Sequence, residues 1–194
     1  MSEYKHSSES TEYGTPHEFI EAARETMGGI DLDPASSVEF NQNLVMAKRI
    51  YTEKTNGLLR KWSGRVWLNP PFGKVMPDGS PSPDGKKGIS SQSMWVDKCG
   101  REWKRSRDVR EMVTLFNAAT SQKWFAALWP WRHHVQCFPF RRLAFLDPIN
   151  FEPIQGNQYA SVIVHWGRTE KAHLRFYDAF CELGVITREW NGGS

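Results

Sequence analysis

Four consecutive residues, Asn69-Pro70-Pro71-Phe72, put an amide, a free carbonyl on Pro70 and an aromatic ring within one short turn. That combination suits methyl transfer to an exocyclic amino group. The amine of adenine is a poor nucleophile because its lone pair is delocalised into the ring. Two acceptors, the Asn69 side-chain oxygen and the Pro70 carbonyl, would hold its two hydrogens and let the lone pair localise toward a methyl donor. Phe72 would stack on the base. Such a site works by positioning and electrostatic preorganisation, without a covalent intermediate. The competing reading is a structural Pro-Pro turn in which Asn69 is an ordinary turn residue.

The elements around the tetrad decide what it faces. Val66-Trp67-Leu68 reads as a buried strand beginning at Arg65, and two successive prolines force the chain out of the sheet after it. The tetrad is therefore expected at the carboxyl end of a strand, the edge where open α/β sheets bind ligands. Upstream, Thr15-Pro16-His17-Glu18 predicts a capping box with Pro at the first helical position. Phe19, Ile20, Ala23 and Met27 share one helical face, and Gly28-Gly29 ends the helix. Ile30–Pro34 predicts a short strand stopped by proline. Ser36-Ser37-Val38-Glu39 predicts a second capping box, with Phe40, Leu44 and Ala47 inward. Asp31 and Asp33 thus precede a helix start. Carboxylates there would accept from a hydroxyl-bearing or cationic cofactor, and the open N–H groups of the helix would suit its carboxylate. A methionine joined to ribose through a sulfonium carries all these groups. The alternative is that both aspartates are turn and capping residues.

Downstream, seven of the twenty residues in Gly73–Gln92 are Gly or Pro. The stretch predicts a long loop beside the tetrad, either an active-site loop or a tolerated insertion. Ser93–Arg105 predicts a helix with Trp95, Cys99 and Trp103 on one face and a solvated basic face opposite. Met112–Phe116 predicts a buried strand, and Thr120 is expected to cap a helix running to Pro130. Ile50-Tyr51, Val135–Phe138, Leu143–Leu146 and Ser161–Trp166 predict further strands, and His173–Trp190 fits helix or strand. His133-His134 do not point to a metal, since neighbours on a strand face opposite ways. Helices alternate with strands early and strands cluster late, so an α/β fold is expected, with a mostly parallel sheet and an antiparallel C-terminal edge.

The chain's 194 residues suit one domain over 13–190, following a polar, Ser/Glu-rich leader at 1–12 that reads as disordered. A net charge of +3 permits a polyanionic partner without requiring one. Cys99, Cys137 and Cys181 lie far apart, with no disulfide framework or zinc spacing. The sequence shows no membrane-spanning run and no signal-like apolar segment, so a cytoplasmic protein is expected. No obligate protein partner is indicated.

The ordered set of motifs resembles the phage-type DNA N6-adenine methyltransferases, a Dam-like family. It comprises Thr15-Pro16, the run at Leu32–Ser37, Asn56–Trp62, Val66–Gly73, Phe116–Phe125 and Arg141–Asp147. The resemblance implies a Rossmann-like fold, S-adenosylmethionine as methyl donor and DNA as partner. It also implies a phage or prophage gene acting in a bacterial host. Tyr13, Thr15, Pro16, Asp31, Asp33, Pro34, Ala35, Ser36 and Asn69 would then hold the cofactor, with the choice between the two aspartates open. Asn69, Pro70, Pro71 and Phe72 would hold a flipped adenine. Phosphate contacts would come from Lys74, Lys86, Lys87, Arg141 and Arg142. Two rivals stand: an amino-methyltransferase acting on cytosine N4, RNA or protein, and a DNA-binding protein that keeps the fold without turnover.

Overall fold

The computed structural model of the chain describes residues 13–75, 89–105, 107–126, 128 and 134–188. The expected leader, Lys86, Lys87 and His133 lie outside them, as does the side chain of Lys74.

A five-stranded sheet forms the centre, in the order β1 (Gly64–Leu68), β4 (Val109–Asn117), β6 (Ser161–Trp166), β5 (His134–Pro139), β7 (Gly184–Arg188). Two irregular segments extend it past β1. Leu32 bridges Val66 in parallel, and Asp33 bridges Ile50 in parallel. The strands predicted at Ile30–Pro34 and Ile50-Tyr51 therefore shrink to single bridges, because Pro34 removes a donor and ends the ladder. β1 and β4 are parallel. β6 is antiparallel to both β4 and β5, and β7 is antiparallel to β5. With the bridged segments at 32–33 and 50 included, most of the described strands run one way and only β6 and β7 oppose them, but every ladder beyond β4 is antiparallel, and the reversed β6 lies inside the sheet between β4 and β5 rather than at the expected edge.

Alternation along the strands divides the core into two faces. Trp67, Val113, Leu115, Cys137 and Ile163 pack against α1 (His17–Met27) and α5 (Glu170–Phe180). Val66, Leu68, Met112, Phe116, Val162 and Val164 pack against α3 (Ser91–Arg105) through Trp95, Val96 and Cys99. The chain leaves 32–33 through α2 (Val38–Phe40) on the first face, and leaves β1 for α3 on the second. The crevice between these two strand ends is a topological switch point.

Several local expectations change. Thr15 is not the cap of α1. The helix starts at His17, Pro16 precedes it with no side-chain cap, and the Pro16 carbonyl accepts from Phe19 N–H at 3.1 Å. The second cap is Ser37, whose hydroxyl accepts from Phe40 N–H, and the turn continues as a π-helix over Asn41–Val45. Gly28 ends α1 in the left-handed conformation at φ 71°. The predicted loop of 73–92 is shorter at both ends: β2 (Lys74–Val75) pairs with β3 (Ile89–Ser90), and Ser91-Gln92 are already the first turn of α3. The helix after Thr120 covers Lys123–Ala126. Leu143–Leu146 is irregular, held by bridges from Leu146 to Gly14 and Pro153. The ambiguous tail resolves into α5, capped by Thr169, and β7. No helix among the described residues is long and apolar enough to cross a membrane.

Candidate active site

The switch-point crevice is a pocket. Tyr13, Gly14 and Thr15 form one side, Asp33, Ala35 and Ser36 a second, and the turn Asn69–Phe72 a third. Phe40, Leu44, Val45 and Trp67 supply apolar walls. The sequence-predicted residues thus converge from three segments far apart in the chain.

Each segment is fixed by backbone pairing. Gly14 exchanges both hydrogen bonds with Leu146, at 2.9 and 2.7 Å, which lays residues 13–15 across the sheet edge. The Asp33 carboxylate accepts from Ala35 N–H at 3.1 Å, and Ser36 N–H reaches Tyr51 O at 2.9 Å, so residues 33–36 form a tight turn. Gly57 packs under that turn. A Cβ there would collide with the Pro34 carbonyl, so the backbone approach requires glycine. The turn at 69–73 is held from behind by α3: Ser91 N–H donates to Gly73 O, and the Ser91 hydroxyl donates to Pro71 O.

Asn69 is oriented by its neighbour. Its NH2 donates to Tyr13 O at 3.0 Å. A carbonyl can only accept, so the side-chain oxygen must face the other way. Among the described residues that Oδ1 is buried and has no hydrogen-bond partner. The hydroxyl of Thr15, which is 3% exposed, is also buried and unpaired. Native interiors seldom leave such groups unsatisfied, and two in one pocket mark where a ligand would complete the bonding. Phe72 is half-buried and meets Phe145 edge to face, with centroids 5.4 Å apart.

The structure separates the two aspartates. Asp33 is 3% exposed and lines the pocket. Asp31 does not line it. Its carboxylate pairs with Arg65 at 2.8 Å, Lys48 at 3.1 Å and Arg110 at 2.8 Å. The Arg65 guanidinium holds it well below the usual carboxylate range. Asp31 is thus the centre of an ion cluster beside the start of β1, apart from the pocket that Asp33 lines. Pro16 and Pro34 flank the pocket segments without lining the cavity. Arg141 and Arg142 follow β5 at the same sheet edge as the ends of β1 and β4. Arg141 is 83% exposed and 3.6 Å from Glu18, while Arg142 donates to Asn157 O.

The residues present fit S-adenosylmethionine by donor set. Asp33 offers a carboxylate for hydroxyl or ammonium groups, Thr15 and Ser36 offer hydroxyls, and Phe40, Leu44 and Trp67 offer apolar surface for a ring. Sequence reasoning missed Gln92, a buried polar residue in the first turn of α3, because the Gly/Pro-rich composition of 73–92 read as loop.

A family model described as DNA N-6-adenine-methyltransferase (Dam) matches residues 3–182 of the chain. No curated protein matches it.

Proposed function

We propose, from the premise that the chain belongs to the DNA N-6-adenine-methyltransferase (Dam) family, that it methylates the N6 amino group of adenine in DNA with S-adenosylmethionine on a Rossmann-like sheet. The observation that carries this reading is the Asn69 amide. It is oriented by Tyr13 O, and its oxygen has no partner among the described residues, in a pocket at a strand end.

S-adenosylmethionine, when bound, supplies a methyl group activated on a sulfonium. Asp33, Thr15 and Ser36 hold the cofactor, and the apolar walls exclude water from it. Asn69 Oδ1 accepts one N–H of the target amine and the Pro70 carbonyl the other, which turns the amine lone pair toward the methyl donor. Asn69 accepts hydrogen bonds and stays neutral; the N–C bond forms as the S–C bond breaks, the demethylated thioether leaves, and the surplus proton of the methylated amine passes to solvent. Phe72 stacks on the base, a contact worth about 1–3 kcal/mol. That offsets part of the few kcal/mol needed to unstack and flip the nucleotide. Arg141, Arg142 and the lysines at 74, 86 and 87 supply phosphate contacts, so binding weakens as salt rises.

The test is mass spectrometry of nucleosides from unmethylated plasmid DNA incubated with purified protein and S-adenosylmethionine. N6-methyladenine is the expected product. Methylcytosine, or methyl incorporation only into RNA or protein, transfers the same chemistry to another substrate. Cofactor binding with no methylated product on any of these overturns the enzymatic reading.

A further inference from the structure

The ladder between β1 and β4 runs in register as far as Leu68 opposite Thr114. β1 then stops at the prolines, while β4 continues to Asn117. This leaves a notch beside the end of β4, where the next residues of β1 would otherwise pair. Successive N–H groups of a strand point to opposite edges. Ala118 N–H points toward β6 and donates to Ala160 O at 2.8 Å. Asn117 N–H therefore points into the notch, and Gln92 Oε1 accepts it at 2.9 Å. Gln92 is 3% exposed and follows Ser91, the residue that holds the Pro71 and Gly73 carbonyls. Its carboxamide caps the free N–H at the end of β4, and its backbone neighbour Ser91 fastens the turn.

The Gln92 amide is as firmly oriented as that of Asn69, with the opposite polarity. A backbone N–H is a donor only, so the oxygen faces Asn117 and the NH2 faces away. Among the described residues that nitrogen is buried and has no hydrogen-bond partner. Among the described residues, the turn thus carries a buried acceptor without a partner, Asn69 Oδ1, and the helix turn that fastens it carries a buried donor without one, Gln92 Nε2.

We propose that Gln92 is a specificity residue that donates to the ring nitrogen next to the amine held by Asn69, N1 or N7 of the target adenine. The inference rests on the reading of this site as an adenine amino-methyltransferase. Adenine presents an amino donor beside ring-nitrogen acceptors, the complement of this acceptor–donor pair. Guanine and thymine present a carbonyl oxygen at the corresponding position, which Asn69 Oδ1 repels. Cytosine presents the same donor–acceptor order at N4 and N3, so the pair rejects bases without an accessible amine and leaves ring size to separate adenine from cytosine.

The test uses duplex oligonucleotides carrying a target site mapped with the wild-type protein. The target adenine is replaced by 1-deazaadenine or 7-deazaadenine. Gln92→Glu keeps an oxygen for Asn117 N–H and removes the donor. Wild-type protein is expected to lose about 10–100-fold in kcat/KM on one of the two analogues. Gln92→Glu is expected to lose a similar factor on adenine and nothing further on that analogue, with S-adenosylmethionine affinity unchanged. Wild-type rates that are equal on adenine and both analogues overturn the proposal, and this arm needs no variant to fold. An equal loss by Gln92→Glu on all three substrates also overturns it, because that marks a supporting role only. No methyladenine from the wild type on any DNA removes the functional reading, and the proposal falls with it. Methyladenine with unchanged analogue rates removes the proposal alone.

Discussion

At the scale of single residues, Asn69 and Gln92 each have one end of the amide fixed and, among the described residues, the other end buried without a partner. Asn69→Ala is expected to lower turnover by about 10²–10³-fold, while S-adenosylmethionine affinity stays within a few-fold. Single-turnover kinetics and calorimetric titration separate the two. Thr15→Val has the reverse character. The hydroxyl it removes is buried and unpaired among the described residues, so a methyl of similar shape should raise the melting temperature of the free protein, by about 1 kcal/mol of stability. Cofactor affinity should fall about tenfold if the hydroxyl bonds the ligand, as titration will show. The tetrad was legible in the sequence because two prolines after an apolar run leave the chain little choice. The direction of the Asn69 amide was not, since Tyr13 lies 56 positions away. Nor could spacing separate Asp31 from Asp33. Asp31 is claimed by Lys48, Arg65 and Arg110, and only the fold brings those cations together.

At the scale of elements, α3 holds two parts of the site in place. Its first turn grips the turn at 69–73 and the end of β4. Its middle grips the loop beneath the 33–36 turn: Lys98 Nζ donates to Arg60 O at 2.6 Å and to Glu102 at 2.7 Å, and Glu102 accepts from Trp62 N–H at 3.2 Å. Both charges are buried, at 6% and 9% exposure, so the basic face of this helix is not wholly solvated as its composition suggested. Breaking such a pair strands a buried charge. Lys98→Met is expected to cost about 3–5 kcal/mol, measured by urea denaturation. The helix itself was readable from the spacing of Trp95 and Cys99. Its true start was not, because glycine and proline hide the two-rung hairpin in front of it. The leading helix was readable for the same periodic reason, while its cap was misplaced because the Pro16 carbonyl, rather than the Thr15 hydroxyl, makes the bond that opens the helix, to Phe19 N–H.

At the scale of the whole molecule, the sheet and its two-sided core follow from strand alternation, and the late cluster of strands announced the reversal of β6 and β7. A buried polar chain crosses that core away from the pocket. His165 Nε2 donates to Glu111 at 2.8 Å, and Arg175 pairs with the same carboxylate at 3.0 Å. The two histidines meet Nδ1 to Nδ1 at 3.1 Å. A carboxylate only accepts, so a neutral His165 has a bare Nδ1, and His173 supplies the proton between them. Burial pushes both imidazoles below their ordinary value, His173 to about 4. Between there and 6.5, the ordinary value, the unfolded chain binds more protons than the folded one, so stability falls as pH falls through that window. Scanning calorimetry should show a melting temperature that declines from about pH 6.5 toward 4, with a shallower slope in His173→Gln. Asp31 acts in a more acid range, because its folded value lies below the ordinary 3.8. The paired rungs of β2 and β3 have a different consequence. The chain departs at Val75 and returns at Ile89 beside the same hydrogen-bonded register, with Ser91 fastened to Pro71 immediately after. An interval bounded in this way can be lengthened, shortened or exchanged without shifting the turn at 69–72, because the backbone register is closed on both sides of it.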